Sequence, residues 1–148
     1  MLDIEADFPA GAQPTDLSFG DLRVSGDLGS WSTGQGTRVQ LVVSLVGMAG
    51  ELLGWCRSGA STAALTSFEA KRLLTLRDAG AGRVEVSGPD GPLHVAQDRR
   101  EVCLAFHRAV FALLDAYPDL GWTVAEEDFW TVMADFRVQC LPGLVLEE

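Results

Sequence analysis

Histidine, cysteine and basic residues are scarce in this chain, and each shortage removes a class of chemistry. Only two of its 148 residues, His94 and His107, are histidines. With no HExxH, GxSxG or Ser-His-Asp pattern, the familiar zinc-protease and serine-hydrolase arrangements are excluded. Cysteine occurs three times, as Cys56, Cys103 and Cys140, without a CxxC pair. An odd number at wide spacing is no disulfide framework, so the thiols are expected to be free, inaccessible and used as small hydrophobes. Lys and Arg number 11 against 21 Asp and Glu, which argues against nucleic-acid binding through phosphate neutralisation. Asparagine is absent, Ile4 is the only isoleucine and Lys71 the only lysine. That skew has the look of high-GC coding and carries no chemistry.

What is present is ordinary for a globular chain. Hydrophobic residues make up 47% and charged residues 22%, which excludes disorder and leaves room for one domain, residues 1–148, with a core of its own. The net charge of −10 is unevenly spread. Residues 1–30 carry six acids and one base, 115–148 eight acids and one base, and the middle seven acids and nine bases. An acidic first segment is the reverse of the basic start of a secretory leader, so a cytoplasmic chain is expected.

Periodicity predicts the elements. Leu2, Ile4, Ala6 and Phe8 alternate with Asp3, Glu5 and Asp7, the pattern of a half-buried strand stopped by Pro9. A second strand covers Leu17–Val24 with a phase slip at Gly20-Asp21, and GDLGSWSTGQG reads as loop. Thr37-x-x-Gln40 reads as a capping box opening a helix over 38–57, closed by Arg57 and Gly59. Its Val-rich part, 38–46, also alternates and fits a strand; the caps favour helix. Three short strands follow around Leu74, Val84 and Val95, and Thr66-x-x-Glu69 could also cap a short helical turn, which leaves that segment open between strand and helix. Asp98-x-x-Glu101 opens a helix ended by Pro118, and Thr123-x-x-Glu126 caps a last one ended by Pro142-Gly143. The expected fold is α+β, with an antiparallel sheet of about five strands and three helices in the order ββα-βββ-αα.

Few residues point to chemistry. Cys103 and His107 lie four apart on one helix, a spacing that suits two metal ligands or a thiol beside a base. Zinc needs three or four ligands and His94 sits on a separate strand, so no metal and no cofactor are expected. Glu126, Glu127 and Asp128 occupy a first helical turn, where they complement the helix dipole. Glu51 is a lone carboxylate among Leu52, Leu53 and Trp55 and belongs beside water or an arginine. STGQGT lacks the Lys-Ser/Thr of a P-loop. The stretch Val39–Cys56 is long enough to be tested as a membrane span, but Gln40, Ser44 and Glu51 interrupt it and Arg38 and Arg57 flank both ends equally, so no membrane partner is expected.

The opening LDIEADF, the segment SLVGMAGELLGW and the later capped helix resemble small proteins of high-GC bacteria, some of them suspected of acting as immunity partners. The resemblance covers the first third of the chain and implies no catalytic residues. It implies a binding protein. The charge map agrees: a non-enzymatic acidic domain, such as a stoichiometric inhibitor of a basic protein, binding through Asp3, Glu5, Asp7, Glu126, Glu127 and Asp128. The alternative is a small enzyme or metal-dependent protein centred on Cys103, His107 and His94. A third arrangement is a homodimer packed through Gly47, Gly50 and Gly54.

Overall fold

The computed structural model describes residues 1–34 and 38–144. Eight strands and three helices follow one another as β1 (Asp3–Asp7), β2 (Phe19–Ser25), β3 (Ser30–Ser32), β4 (Val39–Gln40), α1 (Leu41–Ser58), β5 (Thr62–Thr66), β6 (Arg72–Gly80), β7 (Arg83–Gly88), β8 (Gly91–Ala96), α2 (Arg99–Ala116) and α3 (Glu126–Cys140). The class is α+β, as expected. The single sheet of about five strands is corrected to two antiparallel sheets of four strands each.

In the first sheet β1 pairs with β2 in the register Ile4↔Val24, so the alternation of LDIEADF buries Leu2 and Ile4 and leaves its acids outside. The far edge of β2 is shared: β3 covers Arg23–Ser25 and β4 covers Phe19–Gly20. β3 falls where glycine, serine and sparse apolar residues carry no period, which is why that stretch reads as loop. The second sheet is the meander β5-β6-β7-β8, bulged at Leu65/Thr66, Asp78/Gly80 and Val86/Ser87. The ambiguous Thr66–Glu69 segment forms no helix: β5 ends at Thr66, and a turn closed by Ala70 N to Ser67 O follows.

Helix α1 begins at Leu41, so only Val39 and Gln40 of the Val-rich segment are extended. The N-cap is Gln40, whose side chain makes no cap bond; it donates instead to the Leu17 carbonyl, while Ser18 O accepts from Leu41 N. The expected capping box is therefore not what starts α1, and Thr37 itself lies outside the described residues. The predicted end holds: Gly59 takes the left-handed conformation at φ 66° and its N–H reaches Trp55 O, with Arg57 in the last turn.

By length and composition α1 is long and apolar enough to cross a membrane. In the fold it is the central core helix. Leu41, Leu45, Met48, Ala49 and Leu52 are each at most 2% exposed, and it packs on α3 and β5 while α2 covers β1. One hydrophobic cluster joins both sheets and all three helices, from Leu22 and Val24 through Leu76 and Val86 to Phe106, Phe129 and Phe136. Glu51 is explained by the same packing. Its carboxylate accepts from Thr66 N at 2.8 Å and Thr66 Oγ1 at 2.9 Å, fastening α1 to β5 with no arginine involved.

Candidate functional site

Four groups of side chains organise this fold: those around His94, around His107, the three sulfurs, and the carboxylates of Asp16 and Asp7. His94, on β8, is buried. Its Nδ1 accepts from Asp27 N at 3.2 Å, which leaves the ring proton on Nε2, 2.6 Å from Glu101 Oε2. Gly26 makes this contact possible, since a Cβ there would lie 2.3 Å from His94 Cβ. Glu101 also accepts from Leu2 N and Gln97 N. Burial by itself would raise the Glu101 carboxyl, but these bonds and His94 hold it below its usual range. Asp98 caps α2 by accepting from Glu101 N, as its motif requires. Both nitrogens of His94 are thus committed to holding the N-terminal strand, the 26–29 loop and α2 together.

His107, on α2, is also buried. Its Nε2 accepts from Arg137 Nε at 3.1 Å across to α3, and its ring lies 4.6 Å from Phe111, over which the Arg137 guanidinium sits at 4.4 Å. Burial first, and then the Arg137 charge, push the imidazole below its ordinary value. The proposed grouping of Cys103, His107 and His94 is not assembled. His107 serves Arg137, His94 serves Glu101, and the neighbours of the Cys103 sulfur are other sulfurs.

Those sulfurs are Cys56 from the end of α1 and Cys140 from the end of α3. Cys56 Sγ lies 3.7 Å from Cys103 Sγ, and all three Sγ atoms fall within 4.8 Å of one another. Cys103 and Cys140 are buried and Cys56 half-buried, with all three free. Bonds from Cys103 and Cys140 push the Cys56 thiol down against the opposing effect of burial, and the Arg99 charge adds to them. Cys103 is pushed up by its bonds to Cys140 and Cys56 and by burial. At Cys140 the bond from Cys103 is outweighed by its own bond to Cys56 and by burial, which raise it to about 12. Arg99 is held in place by Trp55 O at 2.9 Å, Ala60 O at 2.6 Å and Asp78 at 3.2 Å, with its guanidinium 4.4 Å above the Trp55 ring. Spacing along the chain gives no hint of this cluster, because its members come from three separate helices.

The acidic residues are also rearranged. Thr123 does not cap α3, as its motif suggests; the N-cap is Ala125 and makes no side-chain bond. The segment leading into α3 is held by Asp16, fully buried, whose carboxylate accepts from Thr123 N and Oγ1, Val124 N and Ala125 N. Burial would raise this carboxyl, but the four bonds overcome it and lower the pKa to about 2. A backbone bridge between Thr15 and Gly121 runs beside it. Asp7 accepts from Tyr117 Oη at 2.6 Å and from Phe8 N, and that bond raises the Tyr117 phenol. Through these links the end of β1, the 14–18 segment and the start of α3 meet at one end of the molecule.

On α3, Glu126, Glu127, Asp128 and Trp130 are exposed, and Trp130, Ala134 and Val138 recur at four-residue spacing on one face. Trp130 is 45% and Val138 68% exposed. The Trp130 ring is braced edge-on against Phe129 at 4.8 Å and tilted toward Phe111 at 6.4 Å. Asp3 and Glu5 are exposed on β1, Glu5 beside Arg23 at 3.5 Å. Compared with family models, curated proteins and solved structures, the chain matches none of them.

Proposed function

We propose that this protein is a non-enzymatic binding domain that holds a basic protein partner, in the manner of a stoichiometric inhibitor or immunity protein, and that it works in the cytoplasm. The observation that carries the reading is Trp130, a large aromatic left exposed and yet braced by Phe129 and Phe111, on the same helix face as Glu126 and Glu127. A rigid Trp is the side chain that contributes most at the centre of protein interfaces, where it fills a partner pocket and loses little entropy. The surrounding carboxylates select for positive charge and speed encounter. The acids at the two ends of the chain add to the negative charge that favours a basic partner. Between residues 1 and 16 and between 115 and 135 there are ten acids and no Lys or Arg, and Asp7 and Asp16 tie these segments together.

Commitment of both histidines to structural partners supports the non-enzymatic half of the proposal: His94 spends both ring nitrogens, on Asp27 N and Glu101, and His107 spends Nε2 on Arg137. The test is to capture partners from the source cytoplasm with the full chain and with a Trp130→Ala chain as baits. A basic protein retained at one-to-one stoichiometry by the first and lost from the second supports the proposal. Equal retention by both baits excludes this face.

A further inference from the structure

We infer that Cys56, Cys103 and Cys140 form a three-thiolate binding site for a soft divalent cation of the zinc group, which would pin the ends of the three helices together. All of the cysteines in the chain meet at one point. Cys56 and Cys103 are 47 residues apart in sequence, and each of the three stands on a different helix. Packing alone asks only that each sulfur be buried somewhere in the core. It does not ask them to face one another.

The distances suit a metal. A metal–sulfur bond of about 2.3 Å sets tetrahedral thiolate ligands about 3.8 Å apart. The Cys56–Cys103 pair already stands at 3.7 Å, and the widest sulfur separation, within 4.8 Å, closes with a side-chain adjustment of about 1 Å. The donor set decides the class of ion. Among the described residues no carboxylate or imidazole joins the cluster, and sulfur alone favours soft cations over magnesium or calcium. Three protein ligands leave a fourth position for water, and Cys56, only half-buried, gives an ion and its water a way in.

The electrostatics are compatible. Binding replaces three S–H bonds by three S–metal bonds and releases three protons to solvent, with no change of oxidation state. The bound site carries one net negative charge. Arg99 acts on Cys56 and Arg57 on Cys140, so nearby positive charge offsets it. Arg99 is fixed there by the Trp55 and Ala60 carbonyls and Asp78.

The experiment is a titration of the reduced full chain with Cd(II) under anaerobic conditions, followed by thiolate-to-metal charge-transfer absorbance, with Zn(II) as displacing ion. The expected result is saturation at one Cd(II) per chain, displacement by Zn(II), and a rise in Tm with either ion. The band should be lost in Cys103→Ala and Cys140→Ala. Because those side chains are buried and the variants can fail to fold, Cys56→Ala, at a half-exposed position, is the deciding variant, with circular dichroism to confirm its fold. No stoichiometric band, or a band that survives Cys56→Ala, overturns the inference.

Discussion

Asp16 shows how much one side chain can hold. It is fully enclosed, it satisfies three backbone N–H groups and one hydroxyl at the start of α3, and its carboxyl is held near a pKa of about 2 against a normal 3.8. A depressed carboxylate pKa stabilises the fold above the unfolded value and loses that contribution as pH falls through the folded one. The shift corresponds to about 2 kcal/mol, present at neutral pH and lost between about pH 4 and pH 2. Asp16→Asn is therefore expected to cost about 2–4 kcal/mol at pH 7 by urea denaturation, with the gap to the unaltered protein narrowing below pH 4. His107 works in a different window. Its pKa is lowered by burial and Arg137, so the unfolded chain takes up the proton first and stability falls as pH drops below about 6.5. His107→Gln should flatten that part of the stability profile. Nothing local in the sequence marks Asp16, because its partners Thr123, Val124 and Ala125 lie more than 100 residues away. The Asp98 cap is legible, since its motif is local, but the bonds of Glu101 to His94 and Leu2 N are not.

At the scale of elements, α1 carries most of the argument. Its buried and open positions make opposite predictions. Leu52 has no exposed surface, and Leu52→Ala should cost about 2–5 kcal/mol through the cavity it leaves. Gly47, Gly50 and Gly54 sit inside the same helix with nothing within 4 Å of where a Cβ would go. Replacing Gly50 by Ala should stabilise the protein by about 0.5–1 kcal/mol, the helix-propensity difference. Thermal denaturation reads both. If α1 instead packed on a second copy through this glycine face, Gly50→Ala would weaken the dimer, and light scattering would report it. The legibility of the elements follows from the range of their causes. The stripe of α2, the C-terminal end of α1 and the alternation of β1 depend on near neighbours and are readable. The first sheet has four strands because β2 shares its edge between β3 and β4, two strands too short to show a period. The three sulfurs met only because α1, α2 and α3 converge, which no spacing along the chain records.

For the whole molecule, the account rests on the acidic end and the exposed Trp130. Its parts are separable. Neutralising Asp3 and Glu5 should leave stability within about 0.5–1 kcal/mol, since both are exposed and the Glu5–Arg23 pair is a surface one. The same change should slow association with a basic partner at low ionic strength, an effect screened over about 8 Å in physiological salt. Asp7 is left in place in that variant because Tyr117 and Phe8 N depend on it. Trp130→Ala should act on dissociation instead, weakening the complex by about 2 kcal/mol or more, roughly a thirtyfold rise in Kd. The most direct measurement is the binding kinetics of the captured basic partner against the unaltered chain and Trp130→Ala, at equal folded fraction. Trp130→Ala should dissociate faster with little change in association rate; identical dissociation rates for the two chains would rule out Trp130 as the centre of the interface.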